Sequence, residues 1–231
     1  MSHSNTQRMT VVSGVLFVVL SVIGFAFFTK SGYPDSNDPA RKIAAYFVQH
    51  RDAALWQQFT LGLASLSGLV FVSGVVAMMW RNESSRTLAV VAGVGGAGAI
   101  AMFMVGSGLL TLLAYRPAVG DPGLMRAELD GAYILFNASG FMLAGFVGAA
   151  SVAAWRHHVL PAWVGEFGMA VAVMQLVGAA AYSTGDGAFS PQGWIPLVAA
   201  LSMMVWTLCV CFAVWRPAEA PKAAPSAPAP A

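Results

Sequence analysis

Thr87–Tyr115 decides the fold: TLAVVAGVGGAGAIAMFMVGSGLLTLLAY, 29 residues without a charged side chain, bracketed by Arg86 and Arg116. A helix rises about 1.5 Å per residue and the hydrocarbon core of a bilayer is about 30 Å thick, so roughly 20 apolar residues cross it. This run exceeds that length, which predicts a helix that tilts or projects beyond the membrane. Outward from it lie five more apolar runs: Met9–Thr29, Leu55–Trp80, Leu135–Trp155, Pro161–Tyr182 and Trp194–Trp215. Within hydrocarbon every backbone N–H and C=O must be satisfied inside its own segment or by a closed barrel. These runs are too long and too continuously apolar for barrel strands. The expected fold class is therefore all-α, a polytopic membrane protein of six transmembrane helices.

Composition agrees with this reading. Of 231 residues, 58% are hydrophobic and 10% charged, against about 25% charged in a soluble domain. A net charge of +2 gives no footing for a nucleic-acid partner. Cys209 and Cys211 stand two apart on one helix, point to nearly opposite faces, and read as apolar packing residues.

The deciding run also contains Gly93-Val94-Gly95-Gly96-Ala97-Gly98, which matches the dinucleotide-binding fingerprint letter for letter. That fingerprint works only where a strand turns into a helix and its glycines let a pyrophosphate approach. Inside a membrane span, the small residues Ala92, Gly93, Gly96 and Ala97 are expected instead to admit a neighbouring helix backbone. Gly140, Ala144 and Gly148 form a similar ridge on the fourth span. No cofactor follows from either.

Lysine and arginine divide evenly between the two sides, so orientation rests on finer features. Trp80-Arg81, Trp155-Arg156 and Trp215-Arg216 repeat one dipeptide at the ends of the second, fourth and sixth spans. Tryptophan settles at the headgroups, and arginine just beyond it favours the cytoplasmic side. Both termini are accordingly expected in the cytoplasm, with the protein in the plasma (inner) membrane. Residues 1–8 read as a cytoplasmic leader, 9–216 as the transmembrane domain, and the Pro/Ala-rich stretch 217–231 as a disordered cytoplasmic tail. The first span resembles a signal peptide in position, but Phe27 and Phe28 occupy the place of a small-residue cleavage site, so it reads as a retained helix.

Two of the outer loops contain Asp38-Pro39 and Asp121-Pro122, the signature of an aspartate N-cap followed by proline in the first turn. After the first, Ile43, Tyr46 and Phe47 share a face that Arg41, Lys42 and Gln49 largely avoid. This predicts an amphipathic helix lying on the outer membrane surface. Pro122–Leu129 would form a shorter version.

Candidate sites are few. Histidine is absent from every span, which argues against bis-histidine haem and intramembrane serine–histidine chemistry. No metal set, catalytic constellation or enzyme activity is indicated. Glu166, the one carboxylate within a span, reads either as a proton or cation relay or, the favoured alternative, as a carboxylate reaching the interface. Gln57, Ser107, Thr111, Asn137 and Gln175 all fall in the outer half of their spans. They either line an outward-facing polar vestibule or, the favoured alternative, hydrogen-bond between helices.

The stretch from Pro39 to Arg51, PARKIAAYFVQHR, followed by a span ending in Trp-Arg, and Leu160-Pro161-Ala162-Trp163 opening the fifth span resemble actinobacterial multipass membrane proteins of unknown function. The resemblance covers most of the chain on short motifs and implies no catalytic residue. Glu166 departs from the more uniformly apolar segment usual there. The expected function is non-catalytic: binding a lipophilic ligand or partner membrane proteins, with a small secondary transporter using the vestibule as the alternative. The expected partners are the lipid bilayer and, beyond it, a second copy of the chain or another membrane protein.

Overall fold

The computed structural model describes residues 3–30, 33–35, 37–115, 121–180 and 187–215. Seven helices account for nearly all of them: α1 His3–Lys30, α2 Ala40–Gln49, α3 Arg51–Trp80, α4 Arg86–Tyr115, α5 Pro122–His157, α6 Ala162–Ala179 and α7 Trp194–Trp215. All but α2 are long and apolar enough to cross a membrane. Among the described residues there is no strand.

The six long helices run alternately up and down. Each packs chiefly on its neighbour in the order α1, α3, α4, α5, α6, α7, and α7 returns to α1, so the bundle closes into a ring. One end, the turn end, holds the starts of α1 and α4, the short turns between α3 and α4 and between α5 and α6, and Trp215. The other, the loop end, holds α2, the ends of α1, α4 and α6, and the starts of α3, α5 and α7.

Lipid tails are as apolar as leucine, so burial of apolar surface does not pull such helices together; close packing and interhelical hydrogen bonds do. Glycine supplies the close packing. A Cβ on Gly95 would stand 2.7 Å from the Met142 carbonyl oxygen of α5, and one on Gly140 would stand 2.8 Å from the Gln175 carbonyl oxygen of α6. Gly165 meets the Ser151 carbonyl in the same way. The fingerprint-like run therefore serves helix packing, but through Ala92, Gly95, Gly96 and Ala99, all buried, whereas Ala97 is exposed. On α5 the Gly140–Ala144–Gly148 ridge does face α6, since Gly148 lies against Ala172.

The turn half is solid. Phe71, Phe146 and Trp206 meet edge to face with ring centroids 5.6–6.5 Å apart, and Trp206 Nε1 donates to the Val164 carbonyl at 3.3 Å. At the turns, Asn82 caps Ser84 N–H and donates to the His157 carbonyl, and α5 ends on His158 at φ 51°, the left-handed position glycine usually fills.

Several boundaries differ from the sequence reading. The helix α1 starts at His3, so most of the polar leader is its first turns. The segment 122–129 is helical, but it is continuous with α5, whose 36 residues extend about 54 Å. Asp121 caps it as expected, accepting from Leu124 N–H at 3.3 Å. Asp38 does not cap α2: its carboxylate instead accepts from Lys42 Nζ at 2.8 Å and from Asp35 N–H at 2.9 Å. The amphipathic helix α2 forms, yet protein covers its apolar face. Ile43 and Phe47 are sealed against Leu110, Leu113, Met125 and Leu129, because the long α4 and α5 project far enough to receive them. The tail 217–231 with Arg216 and the end of the fifth run at Tyr182 lie outside the described residues.

Candidate functional site: a cavity in the loop half

Above the aromatic trio the ring is hollow. All six long helices contribute to a cavity of about 490 Å³, a size that suits a small organic ligand. Its lining follows helical periodicity: Phe17, Ser21 and Phe25 on α1; Tyr133, Phe136, Asn137 and Gly140 on α5; Gln175 and Ala179 on α6; Pro196, Ala200 and Met203 on α7. α3 adds Leu61, Ala64 and Ser65, and α4 adds Ala99, Ile100 and Phe103. Leu143, Met203 and Met204 lie toward the solid half.

A hydrogen-bonded roof covers the loop end. Gln192 Nε2 donates to the Pro34 carbonyl at 3.0 Å. The Tyr33 and Tyr133 phenols lie beside each other, with the Gln192 side chain next to Tyr133. Burial, then the neighbouring Tyr133, holds the Tyr33 phenol well above its usual range, so it stays protonated. The helix α2 braces this tyrosine: its ring stands edge-on to Tyr46 at 5.3 Å and Phe47 at 6.1 Å. One wall of the roof is tied by Asn137 Nδ2, which donates to the Pro191 carbonyl at 3.3 Å.

The two amides inside the cavity have fixed orientations. Gln175 Nε2 donates to the Ala199 carbonyl at 2.6 Å. A backbone carbonyl only accepts, so each amide must turn its nitrogen to the helix and its oxygen away. The Asn137 Oδ1 and Gln175 Oε1 oxygens take no other bond among the described residues and are left to the cavity. Asp35 is the one formally charged side chain in the described lining, which contains no lysine, arginine or histidine.

Of the residues singled out from sequence, Asn137 and Gln175 therefore share this space. The other three lie elsewhere. Gln57 ties α3 to α1, donating to the Gly24 carbonyl at 3.1 Å. Thr111 bonds back to the Ser107 carbonyl within α4, and the buried Ser107 hydroxyl has no hydrogen-bond partner among the described residues. Glu166 sits exposed on the outward face of α6, remote from the lining. Tyr33, Tyr133 and Gln192 were missed. Tyr133 was within reach, since it stands one helical turn before Asn137 on the same face. Among the described residues no three histidine, cysteine or acidic side chains converge.

No family model, curated protein or solved structure matches the chain.

Proposed function

We propose that this is a non-catalytic membrane protein that holds a lipophilic small molecule in the loop-half cavity. The supporting observation is the cavity itself: an apolar space to which every long helix contributes, with two amide oxygens left free at its polar end. Well-packed bundles have few voids larger than a water molecule, so a hollow of this size calls for an occupant. In this reading the turn end, with its Trp80-Arg81 and Trp155-Arg156 pairs, faces the cytoplasm of a plasma (inner) membrane, and the cavity lies in the opposite leaflet. Kinship with actinobacterial multipass proteins is part of the same proposal and rests on residues 39–51 and 160–163.

Native mass spectrometry of protein released gently from its membrane tests the proposal. A stoichiometric lipophilic adduct is expected, and Leu143→Trp, which pushes an indole into the space, should lose it while the bundle still unfolds cooperatively. A wild-type protein without adduct that also fails to take up added retinol overturns the reading.

A further inference from the structure

The contacts around the ring locate an opening. In the loop half, α1 is closed on α3 by Gln57 bonding to Gly24 and α5 on α6 by Gly140 against the Gln175 carbonyl. Gly106 closes α4 on α5 against Phe136, and Gly178 closes α6 on α7 against Ala199. The α3–α4 seam shares the buried cluster of Ala54, Leu110 and Ala114. Two contacts that join α1 to α7 sit in the other half: Gly14 against Cys211, and Cys211 Sγ bonding to the Val11 carbonyl at 3.7 Å. Extending that antiparallel register brings Ser21 about level with Met204, and Phe25 with Ala200. All four line the cavity, and so does Leu197 farther along α7, which is 52% exposed and shares a helix face with the exposed Leu201, Val205 and Leu208. A side chain that both lines the cavity and faces outward marks a gap in the wall, at the depth of the spanning segments.

The polar groups then restrict what can pass. The amide acceptors Asn137 Oδ1 and Gln175 Oε1 face the space, Ser21 adds a hydroxyl, and the charge at the roof is the solvent-exposed Asp35 carboxylate. An anionic head would be desolvated beside oxygens and a negative charge with no cation to pair it, at a cost of several kcal/mol. A hydroxyl head would instead donate to the amides.

We propose that the cavity loads sideways from the bilayer between α1 and α7, and that its ligand is a single-chain amphiphile with a hydrogen-bond-donating, non-anionic head. This rests on the reading of the cavity as a lipophilic site.

Retinol and retinoate share one chain and differ in head charge, so they separate the parts of the idea. With full-length protein in nanodiscs at neutral pH, retinol should bind at least about tenfold more tightly than retinoate. Equal binding of the two removes the head preference and leaves the cavity; binding of neither removes the cavity reading as well. For the route, Ser21→Cys combined with Met204→Cys should be joined by a short flexible bis-maleimide, while Ser21→Cys alone should not. The joined protein should load retinol at least about tenfold more slowly than the same protein before joining. Failure to join, or unchanged loading after joining, overturns the sideways route.

Discussion

Within one six-residue motif the structure assigns opposite fates to two glycines. A Cβ added to Gly95 would lie 2.7 Å from the Met142 carbonyl oxygen and 2.8 Å from the Phe146 nitrogen. Against an ordinary contact of about 3.5 Å the shortfall is about 0.8 Å. Both obstacles are backbone of α5, which cannot rotate aside as a side chain can. Gly95→Ala must therefore push α4 from α5 along their whole interface, and the expected loss is about 1–3 kcal/mol, the range of small overpacking. At Gly93 the nearest atom is a Val76 methyl at 3.7 Å, an ordinary contact. Gly93→Ala then keeps its packing and gains helix propensity, so it should be stabilising by up to about 1 kcal/mol. Reversible unfolding in mixed micelles, followed by circular dichroism, measures both variants on one scale. A nucleotide-binding loop would make the first glycine indispensable, since it shapes the tight turn. A Gly95→Ala variant within 0.5 kcal/mol of the parent, or a Gly93→Ala variant worse than it, would refute the packing argument.

Other outcomes follow from single contacts. Phe47→Ala, emptying a site that is 1% exposed, should destabilise α2 by about 3 kcal/mol and speed amide exchange in 40–49 before the spans are affected; uniform exchange would contradict the docking of α2. His158→Gly should stabilise the α5 terminus by about 1 kcal/mol by relieving its left-handed conformation, and a loss in thermal unfolding would count against that assignment. Asp38 is held below its ordinary 3.8 by the hydrogen bond from Lys42 and then by that from Asp35 N–H. A depressed carboxylate contributes stability above its unfolded pKa and loses it as pH falls through the lower folded value, so α2 should loosen only below about pH 4. Asp38→Asn should show that loosening at neutral pH, and an unchanged acid response would argue that the bond is idle.

The spans were legible because the bilayer imposes a length that any apolar run must meet; α7 occupies the same residues, Trp194–Trp215, in sequence and structure. The excess of α5 was not, because Arg126, Glu128 and Asp130 interrupt the hydropathy without interrupting the helix. Asn137 and Gln175 were visible as amides placed where polarity is costly. Gln57 and Thr111 lie in the loop half, but α3 and α4 are apolar nearly all round, so polarity fixes no rotational phase for either. Tyr33 and Gln192 come from connecting segments far apart in the chain. They meet only because the ring closes, which no local pattern announces.

The interlocked rings of Phe71, Phe146 and Trp206 make the molecule a cup rather than a conduit. Whatever enters from the loop half meets a stopper contributed by three different helices, with every ring held edge-on by the other two. Turning Trp206 aside would part it from both phenylalanines and break its N–H bond to Val164. A molecule held above the three rings would therefore find no way through to the turn end.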